Sequence, residues 1–338
     1  MLLSLLSCFI LPAAAQPRSV FRQHEDVAIY TSASVTRSSS GAATFGVASY
    51  LNPPEFIELY SDSGVLLEAY TNGTGWYGVD MARHIESPTF GSVDTFGVRV
   101  AADGSGATVL GFASASAGAG PAWATLLPGC SLDGGGGTYV GFEASDSGAS
   151  VAVQCYQRAG ANATAGVFAL DGQTGAVRWH FDLGEGVKAG QGQVQITGDG
   201  AWVLLVNEQG APTPNSATAY VLDGATGKLR DAVAIPFFIA AAISDSGNYL
   251  ALGDNGFVHL WEWDAPSGKY APSQAAPVLT PPASSGISFL PWDVQMSTGP
   301  DAAEFVVVGS ISVRCVWGGG PFPPVCVGPQ STANTPLH

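Results

Sequence analysis

The sequence predicts an all-β chain assembled from repeated units of four short antiparallel strands, and three observations carry that expectation. The first is composition: 44 Gly and 22 Pro stand among 338 residues, of which only 12% are charged, about half the ordinary share. Long exposed helices need charged faces, so a chain with few charges and many turn formers favours short strands. The second is a set of brief runs rich in Val, Leu, Tyr and Trp, such as "SVAVQCY", "AWVLLVN" and "FVHLWEW". The third is a pair of turn signatures that recur together along the chain.

The units follow from those signatures. Each opens on a Ser/Asp/Gly turn and, after a strand, a loop and a second strand, carries a turn of the form Asp-x-x-(Thr/Ser)-Gly. One unit runs from "SDSG" at Ser145–Gly148 to "LDGQTGAVRWHF", the next from "TGDG" at Thr197–Gly200 to "LDGATGKLRDAV". A third runs from "SDSG" at Ser244–Gly247 through "NYLALGDNGFVHLWEWDAPSGK" and is shortened in its loop. Weaker units surround them: "SSSG" at Ser38–Gly41 with "YSDSGVLLEAY", "AADGSGATVLGF" from Ala101, and "QMSTGPDAAEFVVVG" from Gln295. That makes six countable units, with a seventh left open. Four strands per unit, recurring at roughly fifty residues, is the pattern of a β-propeller, whose blades bury their faces only against one another. Gly supplies positive φ in the turns, and Asp or Thr bonds the local backbone.

"ALDGQTGAVRWHF" and "VLDGATGKLR" resemble PQQ-like propeller repeats, in which Asp is followed by Thr-Gly and then a docking Trp, here Trp179. "LALGDNGFVHLWEWDAPSGK" is similar to the outer half of a WD40 repeat. The resemblance is clearest over about residues 141–269, and the second copy places Asp231 or a neighbour where a docking Trp belongs. It implies the fold. It would also admit a quinoprotein dehydrogenase, but such enzymes use a longer chain, a calcium site and commonly adjacent cysteines, and no residue here is assignable to those parts. No cofactor is therefore expected.

The N-terminus reads as a secretory leader: an apolar run from Leu2 to Leu11, then Pro12 and small residues before a cut after Ala15. Residues 16–328 are expected to form the propeller and 329–338 a short tail. Outside the leader remain four cysteines, an even number. "CVWGGGPFPPVC" reads as a wide hairpin that sets Cys315 opposite Cys326, and Cys130 with Cys155 follows by elimination; free buried thiols are the alternative. Asn72-Gly73-Thr74 and Asn162-Ala163-Thr164 are N-glycosylation sequons, which gain weight beside a leader. A net charge of -15 argues against nucleic acid and anionic membrane surfaces. No stretch is long and apolar enough for a stable membrane span. The expected product is a secreted monomer.

Catalytic signatures are sparse. "GTGWYG" matches G-x-G-x-x-G but lacks a βαβ context, no Ser sits in G-x-S-x-G, and no histidine pair has metal-ligand spacing. His180 and His259, and Trp179, Trp261 and Trp263, read as strand and blade-packing residues. No catalytic residue and no metal ligand is assigned.

Strand parity then locates the candidate surface. In a four-stranded meander the tight turns share one edge, while the second-to-third loops and the blade-to-blade connections share the other. Longer segments fall on the latter: "TNGTGWYGVDMARHIESPTFGSVD", "QRAGANATAG", "LGEGVKAGQG" and "NEQGAPTPNSAT". Trp76, Tyr77, Glu185, Lys188 and Glu208 are the candidate binding residues there, with Asn72 and Asn162 on the same rim. The expected role is a non-enzymatic binding or scaffold module for a protein or glycan partner. The alternative is an extracellular enzyme on a propeller scaffold, quinoprotein-like or glycan-active. Ring closure is expected from "RSVFRQ", near the new N-terminus, completing the final blade.

Overall fold

A computed structural model describes residues 29–37, 43–50, 56–61, 63, 65–70, 76–81, 93–100, 105–113, 120–130, 141–155, 166–184, 189–209, 216–235, 240–253, 258–273, 278–279, 289–296, 306–316 and 325–330. All regular structure among them is β. Strands β1 (Ile29–Arg37), β2 (Ala43–Tyr50), β3 (Phe56–Ser61) and β4 (Leu66–Tyr70) form one antiparallel meander. β5 (Trp76–Met81), β6 (Thr95–Val100), β7 (Gly106–Phe112) and β8 (Trp123–Pro128) form the second. β9 (Phe142–Ala144), β10 (Ser150–Cys155), β11 (Gly166–Asp171) and β12 (Val177–Asp182) form the third. β13 (Ala189–Ile196), β14 (Trp202–Gln209), β15 (Ser216–Asp223) and β16 (Leu229–Ile235) form the fourth. In the fifth, β17 (Ala240–Ile243), β18 (Tyr249–Gly253), β19 (Val258–Asp264) and β20 (Lys269–Pro272) pair in order, and β21 (Val278–Leu279) also lies against β19. β22 (Phe289–Met296), β23 (Val306–Val316) and β24 (Val325–Gln330) are the described strands of the sixth. β24 runs two residues past the expected domain end at 328.

The chain divides into two compact units. The first holds sheets one to four, apart from the outer ends of β15 and β16; the second holds sheets five and six.

Within the first unit, the sequence of β10 shows why inner strands carry apolar residues on both faces. Successive side chains point to opposite faces of a strand, so a strand packed on both faces has no polar side. Val151, Val153 and Cys155 join Phe96, Val98, Val109 and Leu127 of the second sheet in one buried cluster. Ala152, on the other face, packs with Val194, Ile196, Val203 and Leu205 of the fourth. All six residues of β10 are buried, whereas β12, the outermost strand of the sheet, is buried at none. Each fully buried Val or Leu contributes about 1.5 to 3 kcal/mol. In the second unit, Ala240, Ala242, Ala251 and Val258 of the fifth sheet cluster with Val294 and Met296 of the sixth.

The repeated turns have repeated bonds. Ser145 N–H donates to the Ser150 carbonyl, and Ser150 N–H donates to Ser145 Oγ at 3.1 Å. Thr197 with Trp202 and Ser244 with Tyr249 repeat the pattern. At the other turn, Asp171 Oδ1 accepts from Thr174 N–H and from its hydroxyl, both at 2.9 Å. Asp223 with Thr226 does the same at 2.7 Å.

Two expectations need correction. "AADGSG" was expected to open a unit, but it falls between β6 and β7, the second and third strands of its sheet. The stretch that joins β5 to β6 is long and has no Ser/Asp/Gly signature, so the nearest Asp-Gly cluster mimics the missing mark. Trp76 and Tyr77, expected in a loop, begin strand β5. β1 pairs with β2 in its own sheet; "RSVFRQ" lies outside the described residues.

Candidate functional site

The tight-turn edge of the first unit is occupied by bonds between sheets. Trp123 and Trp179 open or centre the outer strands β8 and β12, and each indole reaches the Asp-Gly-x-Thr-Gly turn of the next sheet. Trp123 Nε1–H donates to the Gly172 carbonyl at 3.0 Å, and Trp179 Nε1–H donates to the Gly224 carbonyl at 2.9 Å. The rings lie over Gly175 and Gly227, where an added Cβ would approach ring carbons at 2.5 Å and 2.7 Å. Both glycines also have positive φ, 71° and 69°, so the turn needs Gly for its backbone and for the ring. Trp179 was singled out by the repeat resemblance; Trp123 was missed, because the turn before it lacks the Asp-x-x-Thr-Gly signature.

Further contacts fasten the same edge. Thr125 Oγ1–H donates to the Gly175 carbonyl at 2.7 Å, and Asp146 N–H donates to the Gly198 carbonyl at 2.9 Å. Gln173, the variable residue of its turn, pairs with a backbone as a second backbone would. Its Nε2 donates to the Val93 carbonyl at 2.9 Å, and its Oε1 accepts from Val93 N–H at 3.1 Å.

Charges on this edge are also committed to structure. Arg178 donates to Asp171 Oδ2 at 2.6 Å, to Ser150 Oγ at 2.7 Å and to the Ala149 carbonyl at 3.0 Å. Burial raises the Asp171 pKa, but hydrogen bonds from Arg178 and Thr174, with the Arg178 charge, outweigh it and hold the carboxyl below its usual range. Asp223 is lowered chiefly by the Thr226 hydroxyl, against a smaller opposing effect of burial. His180 stacks on Phe168 at 4.0 Å between centroids, and burial lowers its pKa against the pull of Asp182. Arg230 lies 4.1 Å over the Trp202 ring, a cation–π contact.

The opposite edge carries the described members of the sequence-predicted set. Strand order places the β4–β5, β10–β11, β12–β13 and β14–β15 connections all on it. Trp76 and Tyr77 stand at the start of β5, and Glu208 stands one residue from the end of β14. Asn72, Asn162, Glu185 and Lys188 fall within those connections, outside the described residues. Of the candidates, the described Trp76, Tyr77 and Glu208 stand at strand ends on this edge. Cys130 and Cys155 form a disulfide with Cα atoms 4.9 Å apart, joining the second and third sheets at this same edge. In the sixth sheet Cys315 and Cys326 are direct cross-strand partners. Among the described residues no three His, Cys, Asp or Glu side chains are grouped to hold a metal ion, and no helix is long and apolar enough to cross a membrane.

Three solved structures are similar to this chain. The Dos1 propeller has a TM-score of 0.53 and 12% identity, over 85% of this chain and 66% of that one. The β-propeller domain of Cps50 (Swd1) from Myceliophteria thermophila has a TM-score of 0.48 and 12% identity, over 84% and 79%. The β-propeller domain of the trilobed protease from Pyrococcus furiosus has a TM-score of 0.47 and 9% identity, over 89% and 86%. No family model and no curated protein matches the sequence. The likeness to the Dos1 propeller, with the all-strand sheets, gives the chain a β-propeller fold, and at such identity it speaks to fold alone.

Proposed function

We propose that this chain is a secreted, non-enzymatic β-propeller that acts as a binding or scaffold module for a protein or glycan partner. The observation that carries this reading is the asymmetry between the two edges of the third and fourth sheets. On one edge their turns are short, and polar groups there bond neighbouring turns or sheets, through Trp123, Trp179, Gln173 and Arg178. The other edge of these two sheets receives their longer connections, and loops held by a rigid scaffold are where recognition residues concentrate. Trp76, Tyr77, Glu185, Lys188 and Glu208 are the contacts assigned to a partner. The apolar leader, the two sequons and the Cys130–Cys155 disulfide support export, since disulfides persist in oxidising compartments. A bond between Cys315 and Cys326 belongs to the same reading.

The test is expression of the full chain in a secretory eukaryotic host. The expected product is found in the medium, carries glycans at Asn72 and Asn162, and binds members of an immobilised glycan array or a cross-linked surface protein. Replacing residues 156–165, 185–188 and 210–215 by short Gly/Ser segments is expected to abolish that binding, while Thr226→Ala on the turn edge leaves it intact. Retention of the product in the cytosol, or binding that survives the loop replacements, overturns the reading.

A further inference from the structure

Asn207 breaks the apolar pattern of β14. Val203 and Leu205 point to the third sheet and pack with Ala152 and Val167 in one cluster. Asn207, two residues further on, continues that face by the alternation of a strand. Its side chain is 0% exposed, and neither Oδ1 nor Nδ2 has a hydrogen-bond partner among the described residues. Opposite it on β13 stands Gly192, which brings no side chain to fill the space. From the third sheet Gln154, 1% exposed, reaches the adjacent backbone, its Nε2 donating to the Val206 carbonyl at 3.4 Å. Two amide side chains thus meet the long-loop end of a seam whose fully buried cluster is Val, Leu, Ile and Ala.

An orphaned buried polar group forfeits its hydration without recompense, and a Leu at this position would extend the apolar stripe with no such cost. The amide therefore needs a partner that can offer both an acceptor to Nδ2 and a donor to Oδ1. We propose that the seam between the third and fourth sheets holds ordered internal water bound to the Asn207 carboxamide. Water fits because the position is closed to bulk solvent, is polar, and lies beside a residue without a side chain; buried waters recur where otherwise unsatisfied polar groups meet in protein interiors. The water accepts from Nδ2 and donates to Oδ1, as one molecule bridging the amide edge or as a pair. At the other end of the seam protein groups close the gap directly, Trp179 on Gly224 and Asp146 on Gly198. The seam is dry at the turn edge and hydrated at the long-loop edge.

The experiment uses the full chain, isotopically labelled. Water-selective nuclear Overhauser spectra are expected to show cross-peaks between the Asn207 side-chain NH2 and a long-lived water. A high-resolution crystal structure should place water within about 3.2 Å of Nδ2 and of Oδ1. Asn207→Leu is expected to remove that density and to reduce the oxygen-17 relaxation dispersion that reports long-lived water. Wild-type crystals in which the amide is dry, or pairs with protein groups alone, overturn the proposal, and that outcome stands whether or not the variant folds.

Discussion

Gly227 and Gly184 make a matched pair that isolates the indole docking. Both have positive φ, 69° and 94°. A Cβ at Gly227 would lie 2.7 Å from two ring carbons of Trp179, whereas a Cβ at Gly184 meets nothing within 4 Å. Gly184→Ala is therefore expected to cost only backbone strain, about 1 to 2 kcal/mol. Gly227→Ala carries the same strain and must also displace a rigid ring, about 1 to 3 kcal/mol for overpacking. The displaced indole loses its bond to the Gly224 carbonyl, 2.9 Å long, for about 1 kcal/mol more. The excess of Gly227→Ala over Gly184→Ala is thus about 2 to 4 kcal/mol. In a Trp179→Ala background that excess should collapse, because the clash and the bond are already gone, and the double-mutant cycle reads the coupling directly. Urea unfolding followed by far-UV circular dichroism gives the required free energies without relying on indole fluorescence. Equal costs for the two glycine substitutions, or an excess that persists without Trp179, would refute the docking argument.

Removing the Cys130–Cys155 disulfide, whose ends are 25 residues apart, is expected to lower stability by about 3.5 kcal/mol through the freed entropy of the unfolded loop; an unchanged urea midpoint for Cys130→Ser with Cys155→Ser counts against it. Non-reducing peptide mapping should recover a Cys315–Cys326 peptide, since the two are cross-strand partners; free thiols at both positions would reject the bond. Stability should fall on acidification in two ranges. His180, with its pKa lowered from 6.5 by burial, contributes stability that is fully present above that value and is lost as the pH drops through the folded pKa. Asp171 and Asp223, both lowered from 3.8, contribute stability present above 3.8 and lost as the pH falls through their folded values. Urea midpoints measured against pH check the sign, and His180→Phe should remove the upper step while leaving the lower one. Stability that rises on acidification through either range contradicts the assignment. Arg178→Met is expected to cost no more than about 1 kcal/mol near neutral pH, because its ion pair with Asp171 is about one-third exposed.

The parts of the fold that were legible are those written in local chemistry. Asp171 and Asp223 each bind a Thr three residues on, inside the same turn, so the bond that shapes the turn is a pattern of neighbours and can be read from one dimension. The same holds for Ser145 with Ser150 and Thr197 with Trp202. Strand parity depends on counting reversals and on nothing remote, but it was applied to "TNGTGWYGVDMARHIESPTFGSVD" as one loop, whereas β5 lies inside that segment and residues 82–94 join the first strand of the second sheet to its second. The second sheet was misread where local marks fail: its first two strands are joined by a long segment without a turn signature, so "AADGSG" was counted as an opening mark although it joins the second and third strands. Long-range partners left no trace of that kind. Gln173 and Val93 are 80 residues apart, and Trp123 meets a turn 49 residues away. A Gln in the variable place of a turn carries no sign that it will pair with another sheet.

Asn207 is the instructive intermediate case. A single polar residue closing the run "WVLLVN" is visible in the sequence, but its meaning depends on which face of β14 it takes and on what stands opposite. Had the register moved by one residue, Asn207 would turn to the other face of the sheet together with Val203 and Leu205. The observed register sets it against Gly192 and near Gln154, and this turns an ordinary strand-end Asn into an enclosed amide. Substitutions at Asn207 are therefore read in stability and hydration, and those at Glu208, next to the loop edge proposed to meet a partner, in binding. A loss of binding from Asn207→Leu with hydration unchanged would mean that the amide serves that edge and not the seam.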